Sequence, residues 1–356
     1  MAAALAVLLF ALSPSPANAM SLGDLTLHGY LDLEYTQATK NEGPDNPNAT
    51  GMDNGSFDIH HLNLLMDMNI RPELSAHAMI EFDHGADTER NQGDIILEYG
   101  FADYIFSNWL KIRGGKTLTP YGLYNEIHDA SPAFLSVFVP ETFYMADSKG
   151  GFPMIPKWVT GLSVRGELTL PRWYHDIEYV LYVGNGENLG STNDAAYDDN
   201  ANKAVGGRIH FTTSDESLQL GVSGFYGDKA VTPDNLSERH WTFIGSASYY
   251  WKHLNVRGEY GQSKLGDRKE TSTYVQVSWR FGRYTPYGRF QYLDPDTNES
   301  DDYWKTYLLG LNIKITDNLF FKVEWDEHSR GANNVEVIHK GSEDFGEFRT
   351  ALTVFF

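Results

Sequence analysis

Residues 346–356 read GEFRTALTVFF, and the two interleaved rows in the last nine of them decide the fold. Phe348, Thr350, Leu352, Val354 and Phe356 form one row, mostly apolar. Arg349, Ala351, Thr353 and Phe355 form the other, mixed and carrying a charge. Successive side chains of a strand point to opposite faces, so this is strand periodicity. The sequence stops on that strand, at an aromatic carboxy terminus. A last strand that closes a barrel against the first would take this form. Phe356 would then sit at a membrane rim as the barrel-closing terminus, and closure would leave no unpaired edge facing lipid.

The same alternation opens the other end of the chain. In LTLHGYLDLEYT, residues 25–36, Leu25, Leu27, Gly29, Leu31, Leu33 and Tyr35 share one face, and Thr26, His28, Tyr30, Asp32, Glu34 and Thr36 share the other. Segments of this kind recur at about ten residues, the length a tilted strand needs to cross a bilayer. Sixteen can be placed, from 24–36 to 345–356, and IILEYGFADYIF at 95–106 alternates least well. The connections alternate too. Long ones fall near 37–57, 85–94, 119–157, 185–202, 228–239, 263–271, 294–303 and 329–344; short ones fall at 71–74, 171–175, 252–253 and 316–318. The expectation is an all-β, transmembrane, antiparallel up-and-down β-barrel of about 16 strands, with short periplasmic turns and longer outer loops. Aromatic residues near strand ends, among them Trp109, Trp158, Trp251, Tyr303 and Trp304, are expected at the bilayer interface.

Composition narrows the class. The net charge of −20 over 356 residues argues against a nucleic-acid partner, which needs a basic surface. There is no cysteine, so disulfides and haem attachment through a Cys-x-x-Cys-His motif are excluded. No run of about 18 apolar residues exists, so no transmembrane helix is expected. Residues 1–19, MAAALAVLLFALSPSPANA, read as a signal peptide: an apolar stretch from Ala2 to Leu12, then prolines, then Ala17-Asn18-Ala19 as a small-x-small cleavage site. The n-region carries no Lys or Arg, a departure from the usual pattern. The mature barrel domain is expected to run over 20–356, exported to a Gram-negative outer membrane.

The third outer connection, 119–157, is the longest, and its middle, AFLSVFVPETFYM at 133–145, is too apolar for a free surface loop. It is expected to fold inward and narrow the bore. Here a family resemblance enters. FDIHHLNLLMDMNIRPELSAHAMIEFD at 57–83, LKIRGGKTLTPYG at 110–122, YVGNGENLG at 182–190 and DDNANKAVGGRIHF at 198–211 occur in this order. Together they resemble the phosphate-selective porin O and P family, in which a Phe-x-Ile-Arg-Arg-like start leads into a strand, a turn and a strand. The resemblance implies a sixteen-stranded, trimeric diffusion channel. His60 and His61 stand where the family-like paired arginines would be, so the fold carries over better than the selectivity.

Alternation sorts the charges. Lys111, Arg113, Lys116, Arg165, Arg208, Glu81 and Asp83 on strands, with Glu126, Asp129, Glu141 and Asp147 in the third connection, are the expected pore-lining and constriction residues. Further along the chain Arg257, Arg280, Arg289, Lys322 and Arg349 share the inward parity with Asp32, Glu34, Glu259, Glu324 and Asp326. Opposed charges across a wet pore order water and disfavour apolar solutes. No phosphate-binding loop and no His-Glu-x-x-His motif is present. DPDTNESDDYW at 294–304 has a superficial calcium-loop look, but Glu299 stands where glycine would be needed. No catalytic, cofactor or metal residue is therefore assigned, and no cofactor is expected. The expected function is an outer-membrane porin passing small hydrophilic solutes and ions, phosphate or other anions by resemblance, with membrane lipid and lipopolysaccharide around a homotrimer. Two alternatives remain open. One is a barrel scaffold sheathing a periplasmic partner such as an electron-transfer cytochrome. The other is an outer-membrane hydrolase drawing on His84, His128, His328 and Asp326.

Overall fold

The computed structural model describes residues 25–39, 55–83, 95–128, 130–170, 175–187, 202–230, 237–335 and 344–356. Residues 1–19, read as a signal peptide, lie outside this set. Sixteen strands close into one antiparallel barrel. They are β1 (Leu25–Ala38), β2 (Ser56–Arg71), β3 (Leu74–Asp83), β4 (Ile95–Ser107), β5 (Leu110–Leu118), β6 (Trp158–Leu170), β7 (His175–Gly184), β8 (Ala204–Thr212), β9 (Leu218–Ala230), β10 (Ser237–Trp251), β11 (Leu254–Leu265), β12 (Arg268–Trp279), β13 (Tyr284–Asp294), β14 (Trp304–Lys314), β15 (Leu319–Arg330) and β16 (Asp344–Phe355). Each strand pairs with its neighbours in sequence, and β16 pairs with β1 in the register Tyr30 to Phe355 through Ala38 to Glu347. The closure extends one residue further: Phe356 and Gly29 exchange both backbone hydrogen bonds at 2.8 Å. A Cβ at Gly29 would lie 2.4 Å from the Phe356 ring and 2.9 Å from the Asn63 carbonyl oxygen, so glycine lets the strands and the terminal ring approach this closely.

The burial pattern inverts that of a water-soluble protein. On β15, Lys322, Glu324, Asp326 and His328 are buried while Trp325 between them is exposed. On β12, Ser272, Tyr274, Gln276 and Ser278 are buried while Val275 and Val277 are exposed. A band of exposed Leu, Val, Phe and Tyr on one face, with ionised groups on the other, is what a strand between lipid and water requires.

Two expectations are corrected and a third is explained. The connection expected near 263–271 is a two-residue turn at Gly266 and Asp267, because β11 and β12 run on to meet it. Gly266 adopts φ +58°, the left-handed conformation such a turn demands. The weak alternation of 95–106 has a local cause: Met79 pairs with Tyr99 but Ile80 with Leu97, so Glu98 is an extra residue in a bulge. The bulge lets Glu98 bury completely and meet Lys157 Nζ at 3.1 Å. Trp304, expected at the interface, is buried on the polar face, where its indole N–H lies 3.2 Å from Thr306 Oγ1 and 3.3 Å from His328 Nδ1. Trp109 and Trp251 are exposed.

The connection from β5 to β6, residues 119–157, supplies much of the largest buried apolar cluster among the described residues. Tyr121, Tyr124, Phe134, Val139, Phe143, Met154 and Ile155 pack with Tyr182, Phe225, Ile244 and Tyr274 of the wall. Burying a large apolar side chain contributes roughly 1.5–3 kcal/mol. Its short turns of helix, such as Glu141–Tyr144, have no side-chain caps of their own, so the wall supplies the polar partners.

Candidate functional site

The wall and the 119–157 segment meet through charge as well as through apolar contact. Val137 N–H donates to Glu324 Oε1 at 2.6 Å, and Phe152 N–H to Glu270 Oε2 at 2.6 Å. Lys322 Nζ donates to the carbonyls of Ser131 at 2.6 Å and Ser136 at 2.7 Å. Arg289 donates to Ser136 Oγ at 2.8 Å and to the Phe138 carbonyl at 3.2 Å. Leu123 N–H donates to Glu259 Oε1 at 3.0 Å. The segment therefore touches the same polar face on β11, β12, β13 and β15.

Glu141 is held by two cations. Arg349 Nη1 lies 2.8 Å from its Oε2, and Lys149 Nζ lies 3.1 Å from its Oε1. Burial by itself would raise the Glu141 carboxyl, but Arg349 and then Lys149 outweigh it and hold the group well below the ordinary glutamate value. Arg349 also meets Asp326 Oδ2 at 3.0 Å and bonds Glu347. One buried guanidinium thus serves three carboxylates, from the 119–157 segment, β15 and β16.

A second group gathers the expected cations of β5, β6 and β8. Lys111 stands opposite Arg165, and Arg165 and Arg208 both stand opposite Val180, so three cations share one level of the wall. Like charges side by side are costly. Glu126 relieves them: Arg208 Nη2 is 2.5 Å and Arg165 Nη2 is 3.4 Å from its two oxygens. Arg113 is bound in bidentate fashion by Asp103, both contacts at 2.7 Å. A cavity of 270 Å³ opens here, lined by Lys111, Glu126, Arg165, Glu167, Glu178 and Arg208.

Three other expected residues lie apart. Lys116 alternates with Lys111 and Arg113, so it shares the other face; its ammonium donates to the Leu97 carbonyl at 2.7 Å and sits 4.7 Å from the Trp158 ring centroid. Asp147 is exposed at the end of the segment. Glu81 is buried beside His61, 3.4 Å from its Nε2. Asp129 and the side chain of Asp83 lie outside the described residues.

Strand parity indicates only Arg257 and Arg280 of a third group, at the end of the barrel that carries the short turns. Lys252, Arg257, Arg280, Arg283 and Lys314 line a cavity of 350 Å³ with Phe134 and Leu135 of the segment, and no carboxylate lines it. Lys252, Arg283 and Lys314 sit in or beside turns, where alternation has no say. Their signal was cation after cation in KH at 252–253, RFGR at 280–283 and K at 314. A fourth group, Glu187, His240 and Ser263, aligns carboxylate, imidazole and hydroxyl, with His240 Nε2 2.8 Å from Ser263 Oγ. His240 has no exposed surface and is flanked by Phe152 and Phe225, so no substrate reaches it. His328, considered above for a hydrolase, has Thr306 Oγ1 2.9 Å from Nδ1 and Glu347 Oε2 3.1 Å from Nε2.

A closed sixteen-stranded barrel, apolar on its exposed face and charged on its buried one, defines a membrane-spanning channel protein. The comparisons with known proteins carry this further: the chain belongs to the Gram-negative porin family, whose model matches residues 2–329. Outer-membrane porins and channels share its fold. Solved structures of the same fold include the anion-selective porin from Comamonas acidovorans, at 13% identity, covering 93% of this chain and 99% of that one, with a TM-score of 0.65. Salmonella typhi OmpF in complex with daunomycin is 13% identical, covering 93% and 97%, with a TM-score of 0.64. The outer membrane channel DcaP of Acinetobacter baumannii is 11% identical, covering 96% and 99%, with a TM-score of 0.57. A curated relative, an uncharacterized protein of Aquifex aeolicus, is 27% identical over 165 residues; the match covers 46% of this chain and 32% of that protein's length.

Proposed function

We infer that the channel is narrowed by its 119–157 segment, which folds into the bore, and that its solutes are small hydrophilic anions. The narrowing is supported by the ties described above. A segment that reaches the same polar face of β11, β12, β13, β15 and β16 at once is well placed to cross the space those strands enclose. Two acids of the segment, Glu126 and Glu141, do not make it a cation filter. Glu141 is neutralised by Arg349 and Lys149, and Glu126 by Arg208 and Arg165.

The observation that carries the anion preference is the 350 Å³ cavity at the short-turn end, with five cations and no carboxylate in its lining. Fixed positive charge along a path concentrates anions there and lowers their barrier to passage. The resemblance to the phosphate-selective porins makes inorganic phosphate the first anion to test. A structural relative described as the trimer form of OmpT from Vibrio cholerae supports a homotrimer. The channel carries out no catalytic step in this reading.

Deletion of residues 130–150 tests the narrowing. The shortened, folded protein should show a larger single-channel conductance and should pass larger sugars in liposome swelling. A scaffold that sheathes a partner would instead lose binding of that partner, with no gain in size limit. Unchanged conductance and size limit would remove the narrowing from the account.

A further inference from the structure

One cluster of titratable side chains, on β1–β3, lies apart from the cavities and ties described above. Asp32 and Glu34 of β1, His60 and His61 of β2 and Glu81 of β3 meet on the polar face. Two adjacent residues of a strand ordinarily point to opposite sides. His60 and His61 do not, and the register says why. Asp32 pairs with His61, but Glu34 pairs with Asp58, so Ile59 and His60 together oppose Leu33 in a bulge. Bulges re-aim side chains. This one brings both imidazoles to the same face, with ring centroids 3.8 Å apart.

The carboxylates surround the two rings. His61 Nδ1 lies 3.2 Å from Asp32 Oδ2, and the His61 N–H donates to Asp32 Oδ1 at 2.6 Å. His60 Nδ1 lies 3.2 Å from Glu34 Oε2. Glu81 Oε1 lies 3.4 Å from His61 Nε2. Asp32, Glu34 and Glu81 are all buried. Among the described residues, the ion pairs of Asp32 and Glu34 are with histidine rings. Lys322, the nearest ammonium on β15, is committed to the carbonyls of Ser131 and Ser136. Glu34 Oε1 is buried with no hydrogen-bond partner. Imidazole–carboxylate hydrogen bonds alone leave that oxygen unsatisfied and crowd three buried carboxylates against two rings.

We propose that Asp32, Glu34, His60 and His61 form a binding site for a divalent first-row transition ion of the zinc class on the channel wall. Imidazole with carboxylate selects such ions over calcium and magnesium, which prefer all-oxygen sites. Candidate ligand atoms of Asp32, His60 and His61 lie within 4.8 Å of one another. Tetrahedral bonds of about 2.1 Å put neighbouring ligand atoms roughly 3.4 Å apart. The two Nδ1–carboxylate spacings of 3.2 Å already match that edge. Glu81 is placed to accept the second ring N–H of His61, the carboxylate–histidine–metal arrangement that fixes a ligating imidazole. The Phe138 ring of the 119–157 segment lies 5.3 Å from the His60 ring. A bound ion would therefore reverse much of the local negative charge beside the narrowed part of the wall.

The test uses the full-length folded protein in detergent, with Co²⁺ as an absorbing probe and Zn²⁺ as competitor. Visible d–d absorption saturating at one Co²⁺ per chain, and displaced by Zn²⁺, is expected. The double variant His60→Gln/His61→Gln should weaken binding by roughly a hundredfold or more. Glu34→Gln, which keeps the side-chain volume, should weaken it too and serves if the double variant does not fold, as judged by heat-shifted gel mobility. Absence of Co²⁺ absorption in the wild type, or equal binding by the folded variants, overturns the proposal. The readout needs no conductance, so it stands or falls separately from the anion reading.

Discussion

Replacing Arg349 with methionine removes the guanidinium that joins the 119–157 segment to the wall. In its absence Glu141, Asp326 and Glu347 face one another in a buried cluster. Lys149, at 3.1 Å from Glu141, and His328, at 3.1 Å from Glu347, remain as partial compensation. Breaking a buried ion pair by removing one partner costs about 3–5 kcal/mol. The strand itself stays paired on both sides, so most of that cost falls on the docking of the segment. That corresponds to about a hundredfold to several-thousandfold change in the ratio of docked to released segment. Other ties persist, among them Val137 to Glu324 and Lys322 to Ser136, so release is intermittent rather than complete. Single-channel recording should show new transitions to a larger conductance level, and limited trypsin digestion should cut at Lys149 or Lys157. Adding Glu141→Gln should partly restore the quiet channel, because it removes one of the uncompensated charges. An Arg349→Met channel with wild-type conductance, noise and protease resistance would refute the claim that this clamp holds the segment.

Three further outcomes are expected. Deleting Phe356 removes the two backbone bonds to Gly29. At about 0.5–1.5 kcal/mol each, this should lower the midpoint of heat-induced gel mobility shift without changing conductance in the surviving channels. The depressed carboxyl of Glu141 fixes a pH window. A group held below its ordinary value stabilises the docked state above that value and loses its contribution as pH falls through the depressed one, so channel noise should stay low from neutrality through pH 4.5 and rise only well below it. Changing Arg280 and Arg283 to glutamate places two acids in the 350 Å³ cavity at the short-turn end. The reversal potential should move toward cation selectivity, and an unmoved potential would take that cavity out of the conduction path.

The strands were legible because a barrel wall between lipid and water imposes one rule on every strand. Leu27 and Leu33 are exposed while Asp32 and Glu34 are buried, as their alternation in the sequence requires. The rule fails where the backbone breaks its own period. At β4 the extra residue Glu98 hid the alternation. At β2 a bulge put His60 on the side its parity denies, and adjacent histidines read as opposite-facing until the register was known. The apolar run 133–145 announced that the third connection must be covered, and the wall covers it. Its partners were not legible, since the tie between Glu141 and Arg349 spans 208 residues of chain. Parity sets Lys116 on the face opposite Lys111 and Arg113, and its ammonium lies 4.7 Å from the Trp158 ring centroid there. The basic cavity at the short turns was legible only in part: parity pointed Arg257 and Arg280 inward, but Lys252, Arg283 and Lys314 sit in or beside turns.

The most direct test of the central claim is the reversal potential of the purified protein in a planar bilayer under a tenfold KCl gradient. A large, steady, ohmic conductance with an anion-selective potential is the result this account expects. A cation-selective potential would contradict the role given to the wall cations. A folded barrel that conducts nothing would contradict the open channel itself.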